Sequence, residues 1–340
     1  EDLYARWATD PNSVEPSWNA FFSTLKEQAD QVQRAAKDPA WTPRAVPAAR
    51  PDWLSALDGQ WPSVAPAVQA KMTKAIEDKA PGSSSEAVRA AILAADCDLV
   101  LNTAAFTHVD PAEARPDEAF AVNAAAPGVM AAACAERDLP FVHLSTDAVF
   151  DGLTDRPYVE TDAARPINVY GRSKLAGEQA VLVHPKAVVL RISWVFSRYG
   201  RNYVSFMLRL AREREVLKIV ADQFGTPTDG EALAAFLIAT APRWAAAANG
   251  DPAFGLFHFA NAGETSRFDF AKAAIDRDPL AKARLERTSQ AAFAEPAPRP
   301  PRSPLDTGKL QKVFGFRPEP WRTAVERTAD RLVADPAARA

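Results

Sequence analysis

The chain has 340 residues, enough to bury a sizeable core in one large or two modest domains. Its 40 Lys and Arg face 43 Asp and Glu, for a net charge of −3 and a pI near 5.9, which points away from nucleic acid or an anionic membrane as partner. No apolar run reaches the roughly 18 residues of a membrane span. The acidic start Glu1-Asp2-Leu3-Tyr4 does not read as a signal sequence, and Cys97 and Cys134 read as reduced, buried thiols, so a cytoplasmic protein is expected.

In chain order, residues 1–38 read as two helices, with Trp18, Phe21, Phe22 and Leu25 on one face. Residues 39–66 are rich in Pro and Trp and cannot be regular helix. Residues 67–80 return to helical texture, and Pro81-Gly82-Ser83-Ser84-Ser85 has linker composition. A boundary is placed here, dividing a mainly helical front segment, 1–85, from a second domain, 86–340.

From Glu86 helices and strands alternate. Helices are expected over 86–95, from Pro116 to Arg137, over 168–183, near 202–214 and over 230–242. Strands are expected at 97–102, 139–145, 187–194, 216–221 and 255–260. This alternation predicts an α/β fold with a parallel, doubly wound, Rossmann-like sheet, in which ligands gather at the carboxyl ends of the strands. The sheet is expected to be incomplete. Only Gly59 and Gly82 precede Gly128, so the first part of the chain holds no glycine-rich loop to cradle a dinucleotide's pyrophosphate, and no early apolar strand.

Two features carry chemistry. Ser145-Thr146-Asp147 closes the strand LPFVHLS, and Tyr170-Gly171-Arg172-Ser173-Lys174 lies on the following helix. Tyr170 and Lys174, at i and i+4, share a helix face. An ammonium beside a phenol favours the phenolate and is expected to lower the Tyr170 pKa, making it a workable proton donor or acceptor. Thr146 is placed to hold a substrate carbonyl beside Tyr170; read blandly, it is a turn or cap hydroxyl.

Residues from about 86 to the C-terminus resemble the dTDP-4-dehydrorhamnose reductases, extended members of the short-chain dehydrogenase/reductases. The matching stretches run in the family's order: DLVLNTAAFTHVD (98–110), EAFAVNAAAP (118–127), HLSTDAVFDG (143–152), INVYGRSKLAGE (167–178), RISWVFS (191–197), NYVSFMLRLA (202–211), VADQFGTPT (220–228), GLFHFANAGETS (255–266) and RPPRSPLDTGKL (299–310). The resemblance implies reduction of the 4-keto group of a dTDP-6-deoxy-hexulose by NADPH or NADH, giving dTDP-L-rhamnose. It makes Tyr170 the proton donor, Thr146 the carbonyl holder and Lys174 the residue that binds the nicotinamide ribose. Asn102, Ala104, Ala105, Asn123 and Ser145 would lie along the cofactor. Trp194, Gln223, Thr228 and Arg299 would shape the sugar-nucleotide pocket, mainly within 195–310, with Arg299 or Arg302 suited to the diphosphate. Some relatives use Mg2+ at a subunit contact, but no liganding cluster for a metal is visible in the sequence; a homodimer is left open. Ala148 stands where the family usually has Tyr, and Pro111 where it often has Lys.

The front segment, EDLYARWATDPNSVEPSWNAFFSTLKE onward, resembles the N-terminus of the 2-oxoglutarate dehydrogenase E1 component, whose front helices tether E1 to the acyltransferase core of its complex. The chain therefore reads as a fusion. Its first 40 residues are a candidate contact for that core. A non-catalytic binding protein of the reductase fold is the alternative to an enzyme. Loss of the first βα units is expected to leave the strand at 97–102 with an open edge and to weaken or abolish NADPH binding.

Overall fold

The structure, a computed structural model, describes residues 82–293 and 295–334. The two helices expected over 1–38, the Pro/Trp stretch over 39–66 and the helix over 67–80 lie outside the described residues.

Helix α1 (Gly82–Ala94) starts four residues ahead of expectation. Gly82–Ser85, read as linker, instead form its first turn. Gly and Ser each weaken a helix only modestly, and Ile92, with Val88 and Leu93, packs into a core cluster that sets the helix in place. Strand β1 (Val100–Asn102) is shorter than expected. Helix α2 (Val109–Ala114) follows, then α3 (Pro116–Glu136), opened by Pro116 and interrupted by a π turn at Ala121–Ala125. Strand β2 (Phe141–Thr146) leads to α4 (Val169–Val181), capped by Asn168, whose side chain accepts from Gly171 N at 2.7 Å. Strand β3 (Ala187–Ile192) stops two residues early because Trp194 takes a φ of +45°, which no strand residue can hold.

The remainder is β4 (Val195–Phe196), α5 (Tyr203–Glu213), β5 (Val216–Val220), β6 (Phe224–Gly225), β7 (Thr228–Asp229), α6 (Gly230–Ala246), β8 (Gly255–His258), β9 (Thr265–Ser266), α7 (Arg267–Ile275), β10 (Arg284–Thr288), α8 (Gly308–Phe314) and α9 (Trp321–Ala334).

The main sheet has the order β1-β2-β3-β8, all parallel. Alternation along each strand sends residues to opposite faces. Phe141, Ala187 and Val189 pack with Ile92, Ala131, Cys134 and Val181 from α1, α3 and α4. Val142, Val188, Leu190 and Phe257 pack on the other face with Leu233, Phe236 and Trp244 of α6 and Leu310 of α8. Helices on both faces of a parallel sheet are the expected doubly wound arrangement. Among the described residues β1 is an edge strand, paired with β2 alone, and its Leu101 is exposed.

By length and composition alone α3, 21 residues long and holding an 18-residue window of mean hydropathy 1.3, could cross a membrane, against the expectation that no stretch reaches that length. Its alanines raise the hydropathy, and Ala119, Ala131, Ala133 and Cys134 are buried within the fold. Burial pushes the Cys134 thiol up to about 12, while Cys97 is half-buried rather than buried.

A second layer of structure carries α5, α7 and α9 around Phe196, Val204, Leu208, Phe270, Trp321 and Val325. The parallel pair β5–β10 packs beside it, with Leu217 and Ile219 inward.

Candidate active site

Helix α4 is seated closely at two glycines, Gly171 against the turn after β2 and Gly177 against the π turn of α3. A Cβ on Gly171 would lie 2.2 Å from Ala148 O, and one on Gly177 2.0 Å from Asn123 O. This approach lays the stripe Tyr170, Lys174, Glu178 of α4 along β2.

Thr146 lies beside Tyr170. Burial pushes the half-buried Tyr170 phenol up to about 12; the neighbouring Thr146 hydroxyl pulls the other way, and the Asp147 carboxylate adds to the rise. Thr146 is also a cap, accepting from Ala148 N at 3.1 Å, so its bland and functional readings coexist. Asp147 is buried. It accepts from Ser303 Oγ at 2.6 Å and Thr146 Oγ1 at 3.2 Å, and desolvation raises its pKa.

Lys174 departs from expectation. Its Nζ is buried against β2, donating to Leu144 O at 2.6 Å and lying 3.2 Å from His143 Nε2. Desolvation lowers it to about 8, against the opposing pull of Glu178. The lowered Tyr170 pKa expected from a neighbouring ammonium is thus corrected: the phenol is raised, because its surroundings are apolar and carry the Asp147 charge.

Asn102, at the end of β1, accepts from Ala104 N at 3.0 Å through Oδ1 and reaches His143 Nδ1 at 3.0 Å through Nδ2. Ala104 and Ala105 lie on the loop that follows, open to solvent in part. Asn123, in the π turn, is fully buried and committed: it bonds both backbone groups of Phe106, at 2.8 and 3.0 Å, and Ser173 Oγ at 2.9 Å. It therefore fixes the loop after β1 against α4. Ser145 is likewise committed, donating to Glu178 Oε1 at 2.5 Å. Glu178 in turn holds Arg191 through bonds of 2.8 and 2.6 Å in a buried pair.

On the opposite wall Arg267 stacks over Trp194, with Cζ 3.7 Å from the ring centroid, and donates to Gln223 Oε1 at 3.1 Å. Trp194 keeps its positive φ here, a strained state for a bulky residue. Arg267 thus bridges Trp194 and Gln223. Thr228 does not join them: it is fully buried, with its hydroxyl spent on Ser193 N at 3.2 Å and Phe259 O at 3.3 Å. Neither arginine proposed for the diphosphate is free. Arg299 is paired with Asp110 and Arg302 with Glu264, because each guanidinium finds a nearby carboxylate in a poorly solvated setting. Sequence reasoning passed over His143, Asp147, Arg267 and Ser303 as site residues. All four stand in or directly beside the matching stretches, but each gains its role only from a distant partner.

A glycine-rich cradle is absent among the described residues, and so is any cluster of three or more His, Cys, Asp or Glu side chains fit for a metal ion. Tyr170 and Thr146 stand at the carboxyl end of β2, where the nicotinamide end of a dinucleotide would lie, while the Lys174 Nζ is buried against β2.

A parallel sheet with helices on both faces, bearing Tyr170 and Lys174 one turn apart beside a strand-end Thr146, defines an extended short-chain dehydrogenase/reductase fold. The family model described as RmlD substrate binding domain matches residues 64–334, and that described as 2-oxoglutarate dehydrogenase N-terminus matches residues 1–29. The dTDP-4-dehydrorhamnose reductase of Sinorhizobium fredii is 41% identical over 242 residues, 70% of this chain and 81% of that protein. That of Burkholderia thailandensis is 41% identical over 270 residues, covering 76% and 90%. Among solved structures, a dTDP-4-dehydrorhamnose reductase from Clostridium acetobutylicum superposes with a TM-score of 0.68 at 32% identity, covering 73% of this chain and 85% of that one. The enzyme from Bacillus anthracis, solved in complex with NADP, gives 0.66 at 32% identity, covering 72% and 84%. The chain belongs to the dTDP-4-dehydrorhamnose reductase family, joined at its front to a 2-oxoglutarate dehydrogenase N-terminal segment.

Proposed function

We propose that the chain reduces dTDP-4-dehydro-L-rhamnose to dTDP-L-rhamnose with NADPH, or NADH, and that it grips the cofactor weakly. The observation that carries the reading is the pairing of Tyr170 with Thr146 at the carboxyl end of β2 in a member of this family. A bound nicotinamide would supply the hydride. Tyr170, still protonated at neutral pH, gives its proton to O4 of the sugar, and the Thr146 hydroxyl orients that oxygen. Lys174, one turn below, would reach the ribose only by giving up its bond to Leu144 O, while Asn102, Ala104 and Ala105 edge the cofactor and Asn123 and Ser145 brace that edge. Trp194 and Gln223, with Arg267, form the sugar-nucleotide wall. The domain division proposed is 1–85 and 86–340, with the substrate-binding part mainly in 195–310.

Weak cofactor binding is the expectation because the given sequence holds no glycine-rich loop ahead of β1 and, among the described residues, β1 is an edge strand. Titration with NADPH, followed by nucleotide fluorescence, is expected to give a dissociation constant above the micromolar range. Turnover with the sugar nucleotide at saturating NADPH is expected to vanish in Tyr170→Phe. Micromolar or tighter binding would refute the weak grip, and a fully active Tyr170→Phe would refute the chemistry.

The match at residues 1–29 favours a second, independent role: docking of the front segment on the acyltransferase core of a 2-oxoglutarate dehydrogenase complex. Retention of the full chain, but not of a chain lacking residues 1–40, on immobilised core would support it.

A further inference from the structure

Residues 297–303 form a strap between the two walls of the site. One end grips the Tyr170 side. Ala297 N donates to Asp110 Oδ1 at 2.9 Å, and the Arg299 guanidinium donates to both Asp110 oxygens at 3.0 and 2.8 Å, at the start of α2. Between these residues Pro298 O accepts from Asn168 Nδ2 at 2.9 Å, at the start of α4. The other end belongs to the sugar-nucleotide wall. Phe224 N donates to Pro301 O at 2.8 Å and Ser303 N to Phe224 O at 2.9 Å, next to Gln223. Pro298, Pro300 and Pro301 hold φ fixed, so the strap between its ends is stiff.

Asn168 stands two residues before Tyr170 and is buried. Its Oδ1 accepts from Gly171 N at 2.7 Å. The two bonds together fix the amide, because an N–H must face Oδ1 and a carbonyl must face the NH2. A cap alone does not call for asparagine, since Ser, Thr and Asp cap a helix as well. Among these residues only asparagine accepts through one atom and donates through another, and so joins α4 to a second segment.

The ring of Tyr170 packs on Phe106, Ala112, Ala119 and Val169. Ala112 belongs to α2, between Asp110 and Glu113, and Glu113 Oε1 accepts from Val169 N at 2.8 Å. The seat of the phenol is therefore built by α2 and the first turn of α4, the two elements that the strap grips.

We infer that Asn168 is a positioning residue for the reduction: its amide ties the turn that bears Tyr170 to the strap, and so places the phenol relative to the wall that holds the sugar nucleotide. The role in the reaction rests on the reductase reading; the tie itself does not. Breaking the bond to Pro298 O leaves the strap on its wall through Phe224, and leaves Arg267 on Trp194 and Gln223. The nucleotide is then still held. What is lost is the register between the held sugar and the phenol, and a misplacement of about 1 Å costs up to about a hundredfold in rate.

Two variants keep the cap and remove the tie. Asn168→Ser retains an acceptor for Gly171 N but does not reach Pro298 O. Asn168→Asp retains the acceptor and sets a carboxylate oxygen against the Pro298 carbonyl. Both are expected to lower kcat by about tenfold or more, with dTDP affinity, read by calorimetric titration, unchanged. Asn168→Asp is expected to be the slower of the two, although its charge suits a helix N-terminus better; a residue that only caps would order them the other way. A kcat in Asn168→Ser equal to that of the unaltered chain overturns the inference, and so does a loss confined to dTDP affinity. Hydrogen exchange of the full chain without cofactor reads the tie apart from turnover. In Asn168→Ser the Ala297 amide is expected to lose protection while the Gly171 amide keeps it. Unchanged exchange at Ala297 means that Asn168 does not hold the strap, and the inference fails. Absence of turnover in the unaltered chain sinks the reductase reading, and the exchange result still upholds or overturns the tie.

Discussion

Arg299 holds Asp110 through two parallel N–H bonds, of 3.0 and 2.8 Å, across 189 residues of chain. Asp110 also accepts from Ala297 N at 2.9 Å, so this one carboxylate fastens the segment around residue 297 to the start of α2. Removing one partner of a buried pair leaves the other charge unpaired, at a cost of about 3–5 kcal/mol. Arg299→Gln is expected to lower stability by that order in urea unfolding, and Asp110→Asn combined with it to recover a large part. A loss confined to substrate affinity, with stability unchanged, would instead return Arg299 to a ligand-binding role.

Gly177 tests how tightly α4 is seated. A methyl group there would stand 2.0 Å from Asn123 O, a backbone atom of the π turn that cannot swing aside. Gly177→Ala must therefore push α4 away from α3 and β2. Overpacking of this kind costs about 1–3 kcal/mol, more than the helix propensity that alanine adds. The urea midpoint is expected to fall and the Tyr170-dependent reaction to weaken. A stabilised Gly177→Ala would mean the helix has room that the geometry denies it.

What was legible in the sequence divides along physical lines. Buried parallel strands read as apolar runs, so β2 and β3 are legible within a few residues, β5 and β8 are legible as short apolar stretches, and Tyr170 and Lys174 are legible because i, i+4 spacing puts them on one helix face. Long-range pairing was not legible. Nothing local to Arg299 announces Asp110, and nothing in LPFVHLS announces that His143 turns toward Lys174 rather than toward α6. That depends on the register of β2 against β3, which sets His143 opposite Val189. The backbone state of Trp194 was hidden for the same reason: a positive φ at a tryptophan is imposed by the surrounding fold, not by the residue.

Two buried imidazoles give the protein an acid-sensitive core. His143 and His258 are each lowered to about 3, chiefly by desolvation, and His258 donates from Nδ1 toward the carbonyls of Tyr158 and Asp306 at 3.1 and 3.2 Å. In the unfolded chain both titrate near 6.5. Between those values the unfolded state binds more protons than the folded one, so stability falls as pH drops from about 6.5 toward 3, by up to roughly 1.4 kcal/mol per unit per histidine. Urea unfolding near pH 7 and near pH 4 reads this slope. It should be shallower in His258→Gln, whose amide does not titrate; an unchanged slope would show that His258 is protonated in the folded state.

Arg267 is the guanidinium left to the pocket wall once Arg299 and Arg302 are paired away. It lies 3.7 Å from the Trp194 ring, bonds Gln223 and faces the Asp147 charge, while burial lowers its pKa. A planar cation stacked on an indole is fixed in direction, so its free N–H groups point in a set direction. Lysine keeps the charge but loses both the stack and the fork. Arg267→Lys is therefore expected to weaken binding of the dTDP-sugar by about tenfold, the loss of roughly 1.4 kcal/mol, without shifting the Tyr170 pH dependence. Calorimetric titration with dTDP, which needs neither NADPH nor turnover, separates this effect from the cofactor. An unchanged affinity in Arg267→Lys would place the diphosphate elsewhere and leave the Arg267–Trp194 stack a structural contact that holds Trp194 in its strained conformation.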